Sequence, residues 1–218
     1  MGLIGKKLIK STYLTFALLI IVWIGAWLLK LDAEEYLLWL KSSGGSFVYW
    51  LIAKILIWII PAMFLLKISK RDLNVVFNLS NWRSWLGWGG GIGLLIALTG
   101  IIPNYVQNKP ILPTSFSWPL INVLVIAPIF EEFLFRGAIL GNLQKKYSPF
   151  IANLISSAMF LLLHIPGWYF MGVLTDNLAR PAGGALSIFL VSIAFGLATQ
   201  RSKSVMGGII AHFLNNLF

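Results

Sequence analysis

Seven apolar runs, each close to the length of a bilayer-crossing helix, constrain this chain more than any other feature. A helix needs about 20 predominantly apolar residues to cross the hydrocarbon core. Such runs cover residues 13–29, 47–66, 86–102, 120–139, 149–165, 186–199 and 206–218, the last two being short for a full crossing. The longest polar stretch, residues 67–84, reads as a connector. Composition agrees, with 58% hydrophobic and 11% charged residues, against roughly 45–50% and 25% in soluble domains. The chain is therefore predicted to be all-α: a polytopic transmembrane helical bundle of about seven spans, forming a single membrane domain over residues 1–218.

The net charge of +10 fits orientation in a bilayer better than binding of nucleic acid, because the Lys and Arg residues lie between apolar runs and form no basic stripe. With the N-terminus cytoplasmic, the inner segments hold eleven basic residues: Lys6, Lys7, Lys10, Lys67, Lys70, Arg71, Arg83, Lys145, Lys146, Arg201 and Lys203. The outer segments hold four: Lys30, Lys41, Lys109 and Arg180. The first run is too long for a signal-peptide core and no small-x-small cleavage site follows it, so it reads as a retained signal anchor. A bacterial cytoplasmic membrane is the expected location. Zero Cys excludes disulfides, thiolate metal sites and a cysteine nucleophile.

Against this apolar background the fourth run carries Glu131, Glu132 and Arg136. Each charge at a helix centre costs roughly 2.5–3.5 kcal/mol on insertion scales, so each needs a partner or a cavity. Glu132 and Arg136 are four residues apart with the acid first, the favoured order for an ion pair on one helical face. Glu131 lies about 100° round the helix with no partner in its own run. It is neutralised by a proton, or it meets a cation, a metal or water in a protein cavity.

Both histidines also fall in apolar runs, His164 in the fifth and His212 in the seventh, and Asn216 shares a helical face with His212. Either histidine alone reads most simply as a packed, hydrogen-bonded side chain. Together with the orphan glutamate they suggest a site. Glu131, His164 and His212 make the two-imidazole, one-carboxylate set of a catalytic Zn²⁺ site, although separations of 33 and 48 residues match no local zinc motif. Without metal, Glu131 could take a proton from water oriented by His164, while His212 and Asn216 donate to the oxyanion. Both routes lead to water attacking an amide within the membrane. No Gly-x-Ser-x-Gly elbow supports serine chemistry.

Three ordered motifs then resemble a known family. Glu131-Glu132-Phe133-Leu134-Phe135-Arg136 looks like an E-E-x-x-x-R signature, Phe160 to His164 like F-x-x-x-H, and His212 to Asn216 like H-x-x-x-N. This trio is similar to that of the CAAX protease and bacteriocin-processing (CPBP, or Abi) intramembrane proteases, relatives of the type II CAAX prenyl endopeptidase. The likeness covers residues 120–218 as a catalytic core. It implies an all-helical membrane endopeptidase with Glu131, His164, His212 and Asn216 as catalytic residues and Glu132 and Arg136 in support. It leaves open a metal-dependent or a glutamate-activated water. The implied partners are the lipid bilayer and a membrane-associated protein or peptide substrate. The alternatives are a non-catalytic immunity or scaffold protein and a small proton-coupled transporter, against which the lack of evident inverted repeats counts.

Other residues carry narrower expectations. Lys54, inside the second run, is expected to snorkel to the interface. Gly87/Gly91 and Gly89/Gly93 are small-xxx-small pairs that permit close helix packing. Trp82, Trp85 and Trp88 mark an interface, and Pro128 frees a carbonyl near Glu131. Counted from the inner ends of these runs, Glu131, His212 and His164 lie about 8, 6 and 15 residues deep. Those depths do not meet at one site, which puts the run boundaries in question.

Overall fold

A computed structural model describes residues 3–218, and among them there is no β-strand. Each apolar run is a helix, longer at one or both ends than the run itself. The helices are α1 (Leu3–Tyr36), α2 (Ser43–Ile68), the short α3 (Leu73–Phe77), α4 (Trp82–Val106), α5 (residues 118–143), α6 (Pro149–Phe170), the short α7 (Leu174–Ala179), α8 (Ala185–Ser202) and α9 (Val205–Leu217). The fold is thus the all-α polytopic bundle expected.

The seven runs are not all alike. Five helices, α1, α2, α4, α6 and α8, have the length and hydropathy to cross a membrane on their own. The other two are carried by their neighbours. Helix α5 holds three charges and lies so deep that nearly all of residues 127–143 are buried. Helix α9, 13 residues long, begins inside the bundle, where Ser202, Ser204 and Val205 are already buried. A helix sheathed in protein escapes the length and charge limits that lipid sets.

Helix α1 shows how an almost uniformly apolar sequence still chooses a face. Ile9, Thr12, Phe16, Leu19, Trp23, Ala26 and Lys30 are buried, and their alternating spacing of three and four residues draws one stripe down the helix. Leu14, Leu18, Ile21 and Val22 on the other side are exposed, as lipid-facing side chains are. The charged member, Lys30, ends the stripe by pairing with Glu34 and donating to the Leu40 carbonyl, 3.1 Å away.

The glycines of α4 admit α9. A Cβ on Gly89 would come within 2.6 Å of the Gly207 carbonyl, and one on Gly93 within 2.9 Å of the Ala211 Cα. A Cβ on Gly100 would collide with the Phe218 carbonyl. The matched order 89–207, 93–211 and 100–218 makes the two helices parallel, with backbones close enough that only glycine fits. Gly87 and Gly91 face open space, so of the two small-residue pairs only Gly89/Gly93 is a packing seam.

The depth conflict resolves at the helix ends. Helix α5 continues to Leu143, so Glu131 lies 12 residues from that end rather than about 8, a depth of about 18 Å. His164 is 15 residues from Pro149, about 22 Å. His212 reaches a similar depth because α9 starts inside. A terminal apolar run gives no sign of where the surface lies, which is why counting residues failed.

Candidate active site

Helix α5 departs from α-helical geometry on both sides of the glutamates, with wide π-type turns at Asn122–Ile126 and Phe133–Leu140. In the first of these the Ala127 N–H reaches back to the Asn122 carbonyl. In that register the next donor would be residue 128, which is Pro128 and has no N–H. The carbonyl left over, Val123, accepts instead from Asn216 Nδ2 at 2.8 Å. Pro128 therefore does free a carbonyl beside the site, and Asn216 ties α9 to α5 through it. The Asn216 Oδ1 accepts from Asn215 Nδ2 at 2.9 Å.

Glu131 and Glu132, adjacent in sequence, enter different surroundings. The Glu132 carboxylate is fully enclosed. Its Oε2 lies 3.1 Å from Arg136 Nε, and its Oε1 lies 3.1 Å from His212 Nδ1. The expected Glu132–Arg136 pair is present, but Glu132 also holds a histidine, which sequence spacing did not show. Arg136 is fastened further by Nη2, which donates to the Ser192 carbonyl at 2.5 Å and to Ser192 Oγ at 2.7 Å. Its guanidinium lies over the Phe160 ring, 4.8 Å from the centroid. Such stacking suits a weakly hydrated planar cation. The His212 ring stacks on Phe195, with centroids 4.6 Å apart. Gly208, one turn before His212, leaves room for this assembly, since a Cβ there would meet Glu132 Oε2 at 2.7 Å.

Glu131 instead lines a cavity of about 480 Å³, together with His164, His212, Asn216, Asn122 and Lys54. Five tryptophans, at positions 23, 27, 50, 58 and 168, form much of its apolar wall. Trp23 lies 4.9 Å from Trp58 and Trp27 lies 4.4 Å from Trp50, centroid to centroid. The sequence marked only Trp82, Trp85 and Trp88, near the basic end of α4, and missed this cluster. The spacing of Trp23 and Trp27, one turn apart in α1, was the available signal.

Lys54 corrects an expectation. It does not snorkel to an interface: it is 6% exposed and points inward, donating from Nζ to Asn122 Oδ1 at 2.9 Å and lying 4.9 Å from the Trp58 ring. An ammonium stripped of water needs polar or anionic company, and the cavity supplies it through the Asn122 amide and the Glu131 carboxylate on the same wall.

The histidine hydrogen bonds fix which ring nitrogens are available. His164 Nδ1 lies 2.9 Å from the Phe160 carbonyl, an oxygen that can only accept, so Nδ1 carries the proton. His212 Nδ1 donates likewise to the Glu132 carboxylate, which is paired with Arg136. In its neutral form each imidazole therefore keeps a lone pair on Nε2. That suits a base or a metal ligand, whereas a protonated His212 would donate at Nε2, as an oxyanion contact requires. A carboxylate behind a histidine is common around bound metals. Yet among the described residues no three His, Cys, Asp or Glu side chains stand close enough to hold a metal ion. Glu131, His164 and His212 share one cavity without converging on a single point.

Residues 113–218 match the family described as type II CAAX prenyl endopeptidase Rce1-like, a few residues beyond the core expected from residue 120. The chain is 29% identical over 178 residues to the putative membrane peptidase YdiL of Bacillus subtilis (strain 168), covering 82% of this chain and 57% of that protein. It is 30% identical over 105 residues to CAAX prenyl protease 2 of Methanococcus maripaludis, covering 45% of this chain and 39% of that protein. The matched stretch thus spans about half the length of these curated relatives or less. No solved structure matches the chain.

Proposed function

We propose, for a chain whose residues 113–218 match the type II CAAX prenyl endopeptidase Rce1-like family, that it is an intramembrane endopeptidase cutting a membrane-associated protein or peptide. The observation that carries this reading is the shared cavity: a carboxylate, two imidazoles with free Nε2 positions and a lysine line one tryptophan-walled space within an apolar bundle.

In the proposed reaction Glu131 takes a proton from water held against His164 Nε2, and the water oxygen adds to the amide carbon. Collapse of the tetrahedral species breaks the C–N bond, and the proton on Glu131 passes to the departing nitrogen. Lys54 is the cation available to the developing oxyanion. Glu132 and Arg136 do not touch substrate; they hold the His212 ring in one tautomer and orientation. Zn²⁺ held by Glu131, His164 and His212 would activate the water instead, although these side chains do not form a preassembled ligand set. The relatives' organisms and the basic-residue split support a prokaryotic plasma membrane with the N-terminus inside.

The test compares wild type with Glu131→Gln, both purified in detergent and incubated with a quenched peptide library, with and without a chelator. The proposal expects cleavage by wild type alone. Loss of cleavage with chelator, restored by Zn²⁺, would select the metal route. Silence from both proteins, with a cellular phenotype untouched by Glu131→Gln, would overturn the peptidase in favour of a non-catalytic immunity or scaffold role.

A further inference from the structure

A second cavity, of about 760 Å³, opens at the basic end of the bundle between α5, α6, α8 and the connector after α2. It is lined by four cations, Arg71, Arg136, Arg201 and Lys203, with Gln144 and Gln200 beside them, and by no Asp or Glu. Its floor is already short of anions. Arg136 Nη1 is buried without a hydrogen-bond partner, as is Nε, although Nε lies 3.1 Å from Glu132 Oε2 in the ion pair.

The cationic rim is held in place. The Lys203 backbone adopts a left-handed turn, φ 53°, pinned by Asn78 Nδ2 donating to the Lys203 carbonyl at 3.1 Å and by Asn81 Nδ2 donating to the Ser202 carbonyl at 2.9 Å. Arg71 is fastened by Nη1 donating to the Gly137 carbonyl at 2.6 Å. Immediately beside the charges, Val75, Phe150 and Leu197 line the same cavity and remain exposed. A cationic pocket bordered by lipid-facing apolar side chains is complementary to a phosphate attached to acyl chains, and basic pockets between membrane helices take anionic headgroups.

We propose that this cavity binds a phosphate group, presented by the headgroup of an anionic phospholipid. Arginines favour phosphate oxygens because the planar guanidinium matches them in two-point contact. The site shares only Arg136 with the assembly that holds His212, so changes at its rim leave the peptidase residues intact.

The experiment measures binding of short-chain phosphatidylglycerol to the detergent-purified full chain by thermal shift, with phosphatidylcholine and inorganic phosphate as parallel ligands. Wild type is expected to be stabilised by phosphatidylglycerol well above phosphatidylcholine. In Arg201→Gln/Lys203→Gln the apparent affinity should fall by about ten- to thirty-fold. Lys6→Gln/Lys10→Gln, the same charge change at another groove of this end, should keep wild-type affinity. Should the double variant fail to fold, Lys203→Gln alone is read the same way with a smaller loss. Equal stabilisation by inorganic phosphate would keep the site and make the free anion its ligand. Equal affinity in wild type and rim variants, or equal loss in the Lys6/Lys10 variant, would overturn the proposal as bulk charge attraction.

Discussion

Glu131 and Glu132 are neighbours on one helix, yet one faces a cavity and the other is locked into a closed network. The closed side, Glu132 with Arg136, His212 and Ser192, leaves little room for a substrate or for rearrangement. The open side, Glu131 with His164, Lys54 and the tryptophan wall, surrounds a space about the size of a small ligand site. The contrast teaches that two buried carboxylates need not do similar work: one organises the protein, and the other is free to act on something brought to it.

The comparison breaks most severely through Arg136. Arg136→Met leaves the Glu132 carboxylate uncompensated in a dry site and should destabilise the protein by about 3–5 kcal/mol, read by chemical unfolding in detergent. Glu132→Gln/Arg136→Met should recover much of that loss, since replacing a whole buried pair is often near neutral. It should still impair cleavage, because His212 loses the carboxylate that sets its tautomer.

Next comes the open side. His164→Gln should lower peptide cleavage by about a hundred-fold, the scale of loss when a reacting group is misplaced by about 1 Å, with an unchanged unfolding midpoint. A large drop in stability there would mean His164 is a packing residue.

Gly208→Ala tests how tightly the closed side is built. Its Cβ would meet Glu132 Oε2 and Thr199 Oγ1, at 2.7 and 2.5 Å, so the overpacked network should lose about 1–3 kcal/mol. The smallest effect is expected at the edge between the regions. Asn216→Ala removes the hydrogen bond to the Val123 carbonyl and should cost about 1 kcal/mol, measured by the same unfolding assay.

Much of this was legible in the sequence, and the failures have a common cause. The seven runs, the Glu132–Arg136 pair and the grouping of Glu131 with both histidines could be read, because charge and imidazole stand out in an apolar chain. The buried stripe of α1 could not, since Leu18 facing lipid and Leu19 facing protein are the same residue type. Lys54 was misplaced for a related reason. Snorkelling is the default for a lone lysine in a span, and nothing local announces that Asn122, 68 residues away, will receive it. The Glu132–His212 contact, 80 residues apart, likewise exists only once α9 is seated in the α4 glycine groove. Span boundaries failed because lipid exposure and protein burial both select apolar residues, so hydropathy alone cannot tell where a sheathed helix such as α9 begins.

The most direct test of the division between the two glutamates is to prepare Glu131→Gln and Glu132→Gln side by side and measure peptide cleavage and chemical unfolding on the same samples. The account predicts that Glu131→Gln unfolds like wild type and does not cleave, while Glu132→Gln unfolds at clearly lower denaturant. Wild-type cleavage by Glu131→Gln, or equal stability of the two variants, would contradict it.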